Sequence, residues 1–303
     1  MPLGVNFEKC YSIRHHAGQS AGLVSALAGF PFVEFVERVP HDEVDIDCAD
    51  CPTMPANPEM NYYMNRVRAC EAFDFYNSNN APPTGGALTR VAVVDNAIMT
   101  DHEDITVAMG YDVIHNDNNP APPFEMNLGN LGRFTHGTQV ASIVAGNVNN
   151  NLGVSSLGWF NQLIAVKTQH DRVNHTPGTP PSAFYAGVAW AAANGAVQVI
   201  NMSWGSNRPS QMNYNVIVEA WNRGIILVST AGNIDGLPNP STPRYPGWYG
   251  KGTTGMPWEV VNPLLVLSTA GLNGAEDRHT TSRFGPGVSV SAYGADIRVA
   301  DSP

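Results

Sequence analysis

The sequence has 303 residues, 43% of them hydrophobic and 14% charged, with a formal net charge of −10. That apolar content suffices to bury a full core, so one large domain with a small appendage is expected. The acidic balance and the lack of any Lys/Arg run exclude the basic surface that phosphate backbones require, and with it nucleic acid as a partner; no apolar run approaches the roughly 20 residues of a membrane-spanning helix, which excludes a membrane-embedded chain.

In chain order, residues 20–27 have helical spacing, and Phe30-Pro-Phe-Val-Glu-Phe-Val-Glu37 interleaves apolar and acidic residues like a strand. A unit of about 40 residues is too short to hold a core alone and is expected to dock on something larger. Residues 41–57 turn acidic and then Pro-rich (Pro52, Pro55, with Pro58 following), the composition of an exposed linker. All four cysteines, Cys10, Cys48, Cys51 and Cys70, fall in the first quarter. Cys48-Ala-Asp-Cys51 is a lone CxxC without a second pair, a pattern that favours a disulfide or free thiols over zinc and leaves the redox compartment open.

Beyond the linker, strand-like apolar runs at 90–95, 163–167, 197–202, 225–230 and 264–267 alternate with helical segments near 137–146, 182–194 and 211–223. This rhythm predicts an α/β fold with a mostly parallel central sheet covered on both faces. Chemistry in such folds sits at the carboxyl ends of strands. Asp95, Ser203 and the Ala231-Gly232-Asn233 turn lie at or just beyond such ends.

Four stretches carry the chemistry. Arg90-Val-Ala-Val-Val-Asp95 ends a buried β-run on a carboxylate, a position that by itself suits a turn or cap equally well. Phe134-Thr-His136-Gly-Thr-Gln-Val-Ala-Ser-Ile-Val-Ala-Gly146 starts an apolar helix with a histidine, with Gly137 and Ala141 small enough for close packing. A helix N-terminus disfavours imidazolium, so His136 needs a carboxylate partner to act as a base near neutral pH. Val199-Ile-Asn-Met-Ser-Trp-Gly205 is a buried strand ending in small and polar residues, and Ser229-Thr-Ala-Gly-Asn233 is a second such end.

In their order and context, Asp95, His136 and Asn233 resemble the subtilases, the subtilisin-like serine proteases, over residues 58–303. The resemblance implies a subtilisin-like three-layer fold and a serine-type endopeptidase acting on polypeptides through an acyl-enzyme. His136 would then be the general base, Asp95 its orienting carboxylate and Asn233 the side-chain donor of the oxyanion hole. Ser203, Trp204 and Gly205 resemble the family's substrate-binding edge, to which an extended peptide adds as a β-strand. Trp204 is read there either as a subsite wall or as a core tryptophan. Asn147-Val-Asn-Asn-Asn-Leu-Gly-Val154 follows the histidine helix as a calcium loop does in many subtilases. Asp104, Val148, Asn150, Leu152 and Val154 are accordingly expected to offer oxygen ligands to a structural Ca²⁺, with an Asn-rich surface turn as the alternative. No organic cofactor is implied.

By the same resemblance, residues 1–40 are the C-terminal part of an inhibitory propeptide acting on its own enzyme, with processing in the 41–57 linker and a peptidase domain over 58–303. Export and a monomeric state follow from the family pattern, although no signal peptide is visible. The sequence departs from that pattern in three places. Asn96-Ala97 follows the Asp where a small residue and glycine are expected, and Gln139 stands where a second histidine is common. A Gly-Thr-Ser-Met-Ala type motif is absent. Val288-Ser-Val-Ser-Ala-Tyr-Gly-Ala-Asp-Ile297 resembles the strand and turn ahead of it, so the nucleophilic serine is expected past Pro303. Gly252-Thr-Thr-Gly-Met-Pro257 imitates the motif, but it precedes that strand, offers Thr instead of Ser and contains helix breakers. A chain without the serine would be nearly inert. The rival reading is a non-catalytic peptide-binding module that uses the Ser203-Trp204-Gly205 edge.

Overall fold

The computed structural model describes residues 62–72, 88–123, 134–148, 150, 152–158, 161–171, 181–234, 241–251, 255, 257, 265–272, 278–285, 287–294, 297 and 299–300. The chain divides into two compact units, Met1–Asp47 and Cys48–Pro303, and every described residue belongs to the second. The expected propeptide segment 1–40, the linker 41–57 and the CxxC cysteines therefore lie outside the described residues, as does most of the 252–257 imitation motif. Cys70 is held in a disulfide, which removes the free-thiol reading for that residue.

After the short helix α1 (Tyr62–Arg66) come β1 (Thr89–Asp95), β2 (Val107–Asp112), α2 (Thr135–Ala145), β3 (Asn161–Lys167), α3 (Pro181–Asn194) and β4 (Val199–Met202). They are followed by α4 (Gln211–Asn222), β5 (Ile226–Thr230), β6 (Leu265–Leu272) and β7 (Val290–Tyr293). The seven strands form one sheet in the order β2-β3-β1-β4-β5-β6-β7, and every neighbouring pair is parallel. The α/β subtilisin-like expectation holds.

Side chains of β1 and β3 alternate between two cores, because successive Cβ atoms point to opposite faces of a sheet. Val93, Leu163 and Ala165 pack with Ile98 and with Ala141 and Ala145 of α2 on one face. Ala92, Val94, Ile164 and Val166 pack with Val188 and Ala191 of α3 and Ile217 and Ala220 of α4 on the other. Burial on both sides is why these strands read as unbroken apolar runs. Ser210 caps α4 by accepting a hydrogen bond from the Asn213 amide, and Gly224, at φ +77°, lets the chain leave the helix and turn back into β5.

The sequence reading has no counterpart for β2. It is an edge strand with mixed exposure, interrupted by Gly110, where a Cβ would meet the Pro120 ring at 2.5 Å. Such a strand carries neither clean alternation nor a continuous apolar run. β6 ends five residues later than expected, and α2 begins two residues earlier.

β1 occupies the point where the strand order reverses, with β3 on one side and β4 on the other. Parallel sheets place their ligand crevice at the carboxyl ends of strands beside such a reversal. Asp95 closes β1 there.

Candidate active site

Asp95 is buried, and its position is fixed from behind. The Thr168 amide and hydroxyl, just beyond β3, donate to its backbone carbonyl at 2.9 and 2.8 Å. Its carboxylate Oδ1 accepts from the Asn96 amide at 2.8 Å and pairs with His136 Nδ1 at 2.8 Å. Oδ2 is buried without a hydrogen-bond partner among the described residues. His136 stands in the first turn of α2 with half its side chain exposed, whereas the Asp95 side chain is 4% exposed. A carboxylate engaging Nδ1 fixes the tautomer with the proton on that nitrogen, leaving Nε2 free to accept another. The hydrogen bond to Asp95, aided by its charge and outweighing partial burial, raises the imidazole pKa above its ordinary 6.5.

The N-terminus of α2 is attached to the loop after β1. Asn96 Oδ1 accepts from the Gly137 amide at 2.9 Å and from the Ala97 amide at 2.7 Å, and the Met99 amide donates to Thr138 Oγ1 at 3.0 Å. Gly137 has to be glycine for this approach, since a Cβ there would lie 2.3 Å from the Ala97 carbonyl oxygen. The Asn96-Ala97 departure thus has a local function. Asn96 supplies, from a neighbouring loop, the acceptor that an N-cap side chain normally supplies to a helix.

The other predicted residues lie at the carboxyl ends of the neighbouring strands β4 and β5, and among them Trp204 reaches β1 beside this pair. Ser203-Trp204-Gly205 continues from the end of β4, and the Ser203 hydroxyl accepts from Asn201 Nδ2 at 2.9 Å. Trp204 is partly buried. Its indole N–H donates to the Val94 carbonyl at 2.8 Å, one residue before Asp95, and its ring lies 4.7 Å from Phe184 and 5.1 Å from Tyr185 between centroids. Asn233 follows β5 and is exposed. Its backbone is bridged to Ser282, and its carbonyl accepts from Arg283 Nε at 2.8 Å.

Arg283 is fully buried and also donates to Asn207 Oδ1 and the Thr242 carbonyl, each at 3.1 Å. Sequence reading missed it, as it missed Arg244, because a single arginine in a polar loop gives no periodic or spacing signal.

The loop after α2 folds onto Asp104, which is completely buried. Asp104 Oδ1 accepts from Asn150 Nδ2 and Oδ2 from the Val154 amide, both at 2.7 Å. Gly153, at φ +50°, passes so close that a Cβ would lie 2.1 Å from Oδ2. Asp104, Asn150 and Val154 are therefore brought together, with Val148 half-buried and Leu152 exposed in the same loop. No cationic side chain pairs with Asp104 among the described residues. The Asp104 carboxylate is thus held by two N–H donors, and a Ca²⁺ here would need Asn150 to present its Oδ1, which accepts from the Leu152 amide instead.

A second ionisable cluster joins β2 to β3. Buried Lys167 pairs with buried Asp112 at 2.9 Å and with Asp171, and His115 Nδ1 meets Asp112 at 2.8 Å. Asp112, His115 and Asp171 have the spacing of metal ligands, but the Lys167 ammonium already supplies the positive charge between the two carboxylates.

Comparison with known proteins identifies the family and the fold. The subtilase family model matches residues 86–302. Thermitase of Thermoactinomyces vulgaris is 27% identical over 248 residues, which cover 81% of this chain and 74% of that protein. A subtilisin of Bacillus pumilus is 28% identical over 213 residues, 70% of this chain and 67% of that one. Among solved structures, a protease from Pseudoalteromonas arctica PAMC 21717 shares the fold with a TM-score of 0.60 at 23% identity, covering 80% of this chain and 71% of the other. The chain belongs to the subtilase family, a family of serine-type peptidases.

Proposed function

We propose that this protein is a serine endopeptidase that hydrolyses peptide bonds through an acyl-enzyme, with an Asp-His-Ser triad. The observation that carries the reading is the 2.8 Å contact of His136 Nδ1 with buried Asp95 at the end of the central strand. His136 Nε2 takes the proton of a serine hydroxyl as the oxygen attacks the scissile carbonyl, then returns it to the leaving amine. Asp95 holds the imidazole in that tautomer and stabilises its charged form. The side-chain amide of Asn233 donates to the oxyanion. An extended substrate lies along Ser203, Trp204 and Gly205. The serine is proposed to stand in a helix C-terminal to Pro303, after the β7 edge.

The finer features belong to the same reading. Residues 1–40 act as an inhibitory propeptide on the 58–303 peptidase domain and are released by cleavage within 41–57. Asp104, Val148, Asn150, Leu152 and Val154 hold a structural Ca²⁺, which would neutralise a buried Asp104 carboxylate otherwise held only by neutral N–H donors. Export to an oxidising compartment is supported by the disulfide at Cys70. The enzyme works as a monomer on polypeptides.

The test is to express the protein together with its downstream coding sequence, remove the propeptide and assay peptide hydrolysis and labelling by a fluorophosphonate. Hydrolysis and labelling are expected, and Asp95→Asn is expected to lower kcat about ten-thousandfold. A product with no serine after Pro303, or one that binds extended peptides without cleaving them, would replace this reading with the peptide-binding module.

A further inference from the structure

Arg244 stands between the two segments proposed to hold the substrate. A Cβ on Gly205, at the end of the peptide-binding edge, would meet Arg244 Cγ at 2.8 Å and Nε at 3.0 Å. One on Gly232, the residue before Asn233, would meet Arg244 Cδ at 2.3 Å and Nε at 3.2 Å. The arginine side chain therefore runs against both glycine backbones, in space that exists only because neither residue has a side chain. Its Nε is buried without a hydrogen-bond partner, and no carboxylate pairs with it among the described residues.

The contrast with Arg283 sharpens the point. Both arginine side chains border Gly232, but the Arg283 guanidinium is engaged by two carbonyls and an amide oxygen. Arg283 explains the local architecture by itself, and Arg244 does not. Arg244 as a whole is half-buried, but its Nε has left water without gaining an acceptor, a loss that is costly unless a hydrogen bond replaces it. In a chain of net charge −10, an unpaired arginine here points to a partner that comes from outside.

We propose that Arg244 is a specificity-determining residue that receives an aspartate or glutamate of the substrate, so that this protein cleaves on the carboxyl side of acidic residues. This rests on the endopeptidase reading. With the scissile carbonyl at Asn233 and the chain extended along Ser203–Gly205, the side chain of the residue bearing that carbonyl enters between Gly205 and Gly232, against Arg244. The planar guanidinium matches a carboxylate in a two-point, charge-assisted geometry. An apolar side chain in the same place would leave the cation desolvated and unpaired, which rejects it.

The test uses the full-length protein, with its sequence beyond Pro303, and succinyl-Ala-Ala-Pro-X-p-nitroanilides in which X is Glu, Gln, Leu or Phe. The Glu peptide is expected to exceed the Gln peptide in kcat/KM by about ten- to a hundredfold, the range of a charged hydrogen bond. Arg244→Gln removes that ratio and raises cleavage of the Leu peptide, since the cation that rejects it is gone, and Arg244→Lys retains part of the ratio. A wild-type preference for Leu or Phe, or a Glu-to-Gln ratio unchanged in Arg244→Gln, overturns the proposal and leaves the endopeptidase reading standing. If no peptide is cleaved, the endopeptidase reading fails, and equilibrium binding decides the role of Arg244 separately. Binding of succinyl-Ala-Ala-Pro-Glu and its Gln counterpart is followed by tryptophan fluorescence. Tighter binding of the Glu peptide that depends on Arg244 sustains the acidic subsite, and equal binding sinks it.

Discussion

His136 is pulled in two directions by its surroundings, and the sign of the result can be measured. Its hydrogen bond to Asp95 raises the imidazole pKa, while partial burial opposes the charged form. Catalysis needs the neutral base, so the acidic limb of kcat/KM is expected above pH 6.5 and should move to lower pH in Asp95→Ala. NMR titration of the His136 ring in the two proteins checks the assignment directly. The linked stability has the opposite sense. A raised folded-state pKa stabilises the native protein fully below the unfolded value of about 6.5 and loses that contribution as pH rises through the folded value. Trp204 takes the core side of its two sequence readings, since its ring packs among core aromatics, and its N–H ties the segment after β4 to β1 beside Asp95. Asn233→Ala is expected to lower kcat about a hundred- to a thousandfold with KM little changed, because the donor acts on the oxyanion more than on the bound substrate.

Between β1 and α2, one asparagine connects a strand end to a helix start. Asn96→Ala leaves the Gly137 and Ala97 amides without their acceptor, so the protein should lose about 1 kcal/mol. For a domain of this size that is a fall of about 2–4 °C in Tm, readable by calorimetry. Gly137→Ala should do more harm than Asn96→Ala, since the helix must shift away from the Ala97 carbonyl and carry His136 with it. The same elements mark what was legible beforehand. β1 and β3 declare themselves because burial on both faces demands unbroken apolar runs, and α2 because its small residues recur on one side. β2 is silent because a half-exposed edge strand needs no such pattern. The role of Asn96 is also silent, since a cap delivered from another loop leaves no local spacing to recognise. Arg244 and Arg283 acquire meaning only when β4, β5 and the 241–245 turn are brought side by side.

Across the whole molecule, the Lys167 network fastens the β2 edge to the sheet. Burial alone would raise the Asp112 carboxyl pKa. Hydrogen bonds from His115, Lys167 and the Ile114 amide, with the Lys167 charge, outweigh that effect and hold it below the usual value. The contribution is present above the unfolded pKa of about 3.9 and disappears as pH falls through the lower folded value. Lys167→Met leaves Asp112 buried without its main counter-charge and is expected to cost about 3–5 kcal/mol near neutral pH, a loss that shrinks as acid protonates Asp112. Circular dichroism against pH measures both effects. For the loop on Asp104, chelation with EDTA should lower Tm, and added Ca²⁺ should restore it. Saturation a hundredfold above Kd corresponds to about 2.7 kcal/mol. If Tm is indifferent to both treatments, the calcium assignment falls.

An all-parallel sheet has a consequence for the order of events as the chain folds. No two neighbouring strands can be joined by a tight hairpin, and the central strand finds its partners only after long stretches have been synthesised: Asp95 aligns with Lys167, and Val93 with Asn201. His136 meets Asp95 across 41 residues, and the segments around Asn233 and Arg283 are joined later still. Contacts of such long range form slowly and together, because loop-closure entropy is lost before they can compensate for it. The candidate site is thus assembled by the global folding transition itself, and a nascent or partly unfolded chain has its reactive groups scattered and harmless.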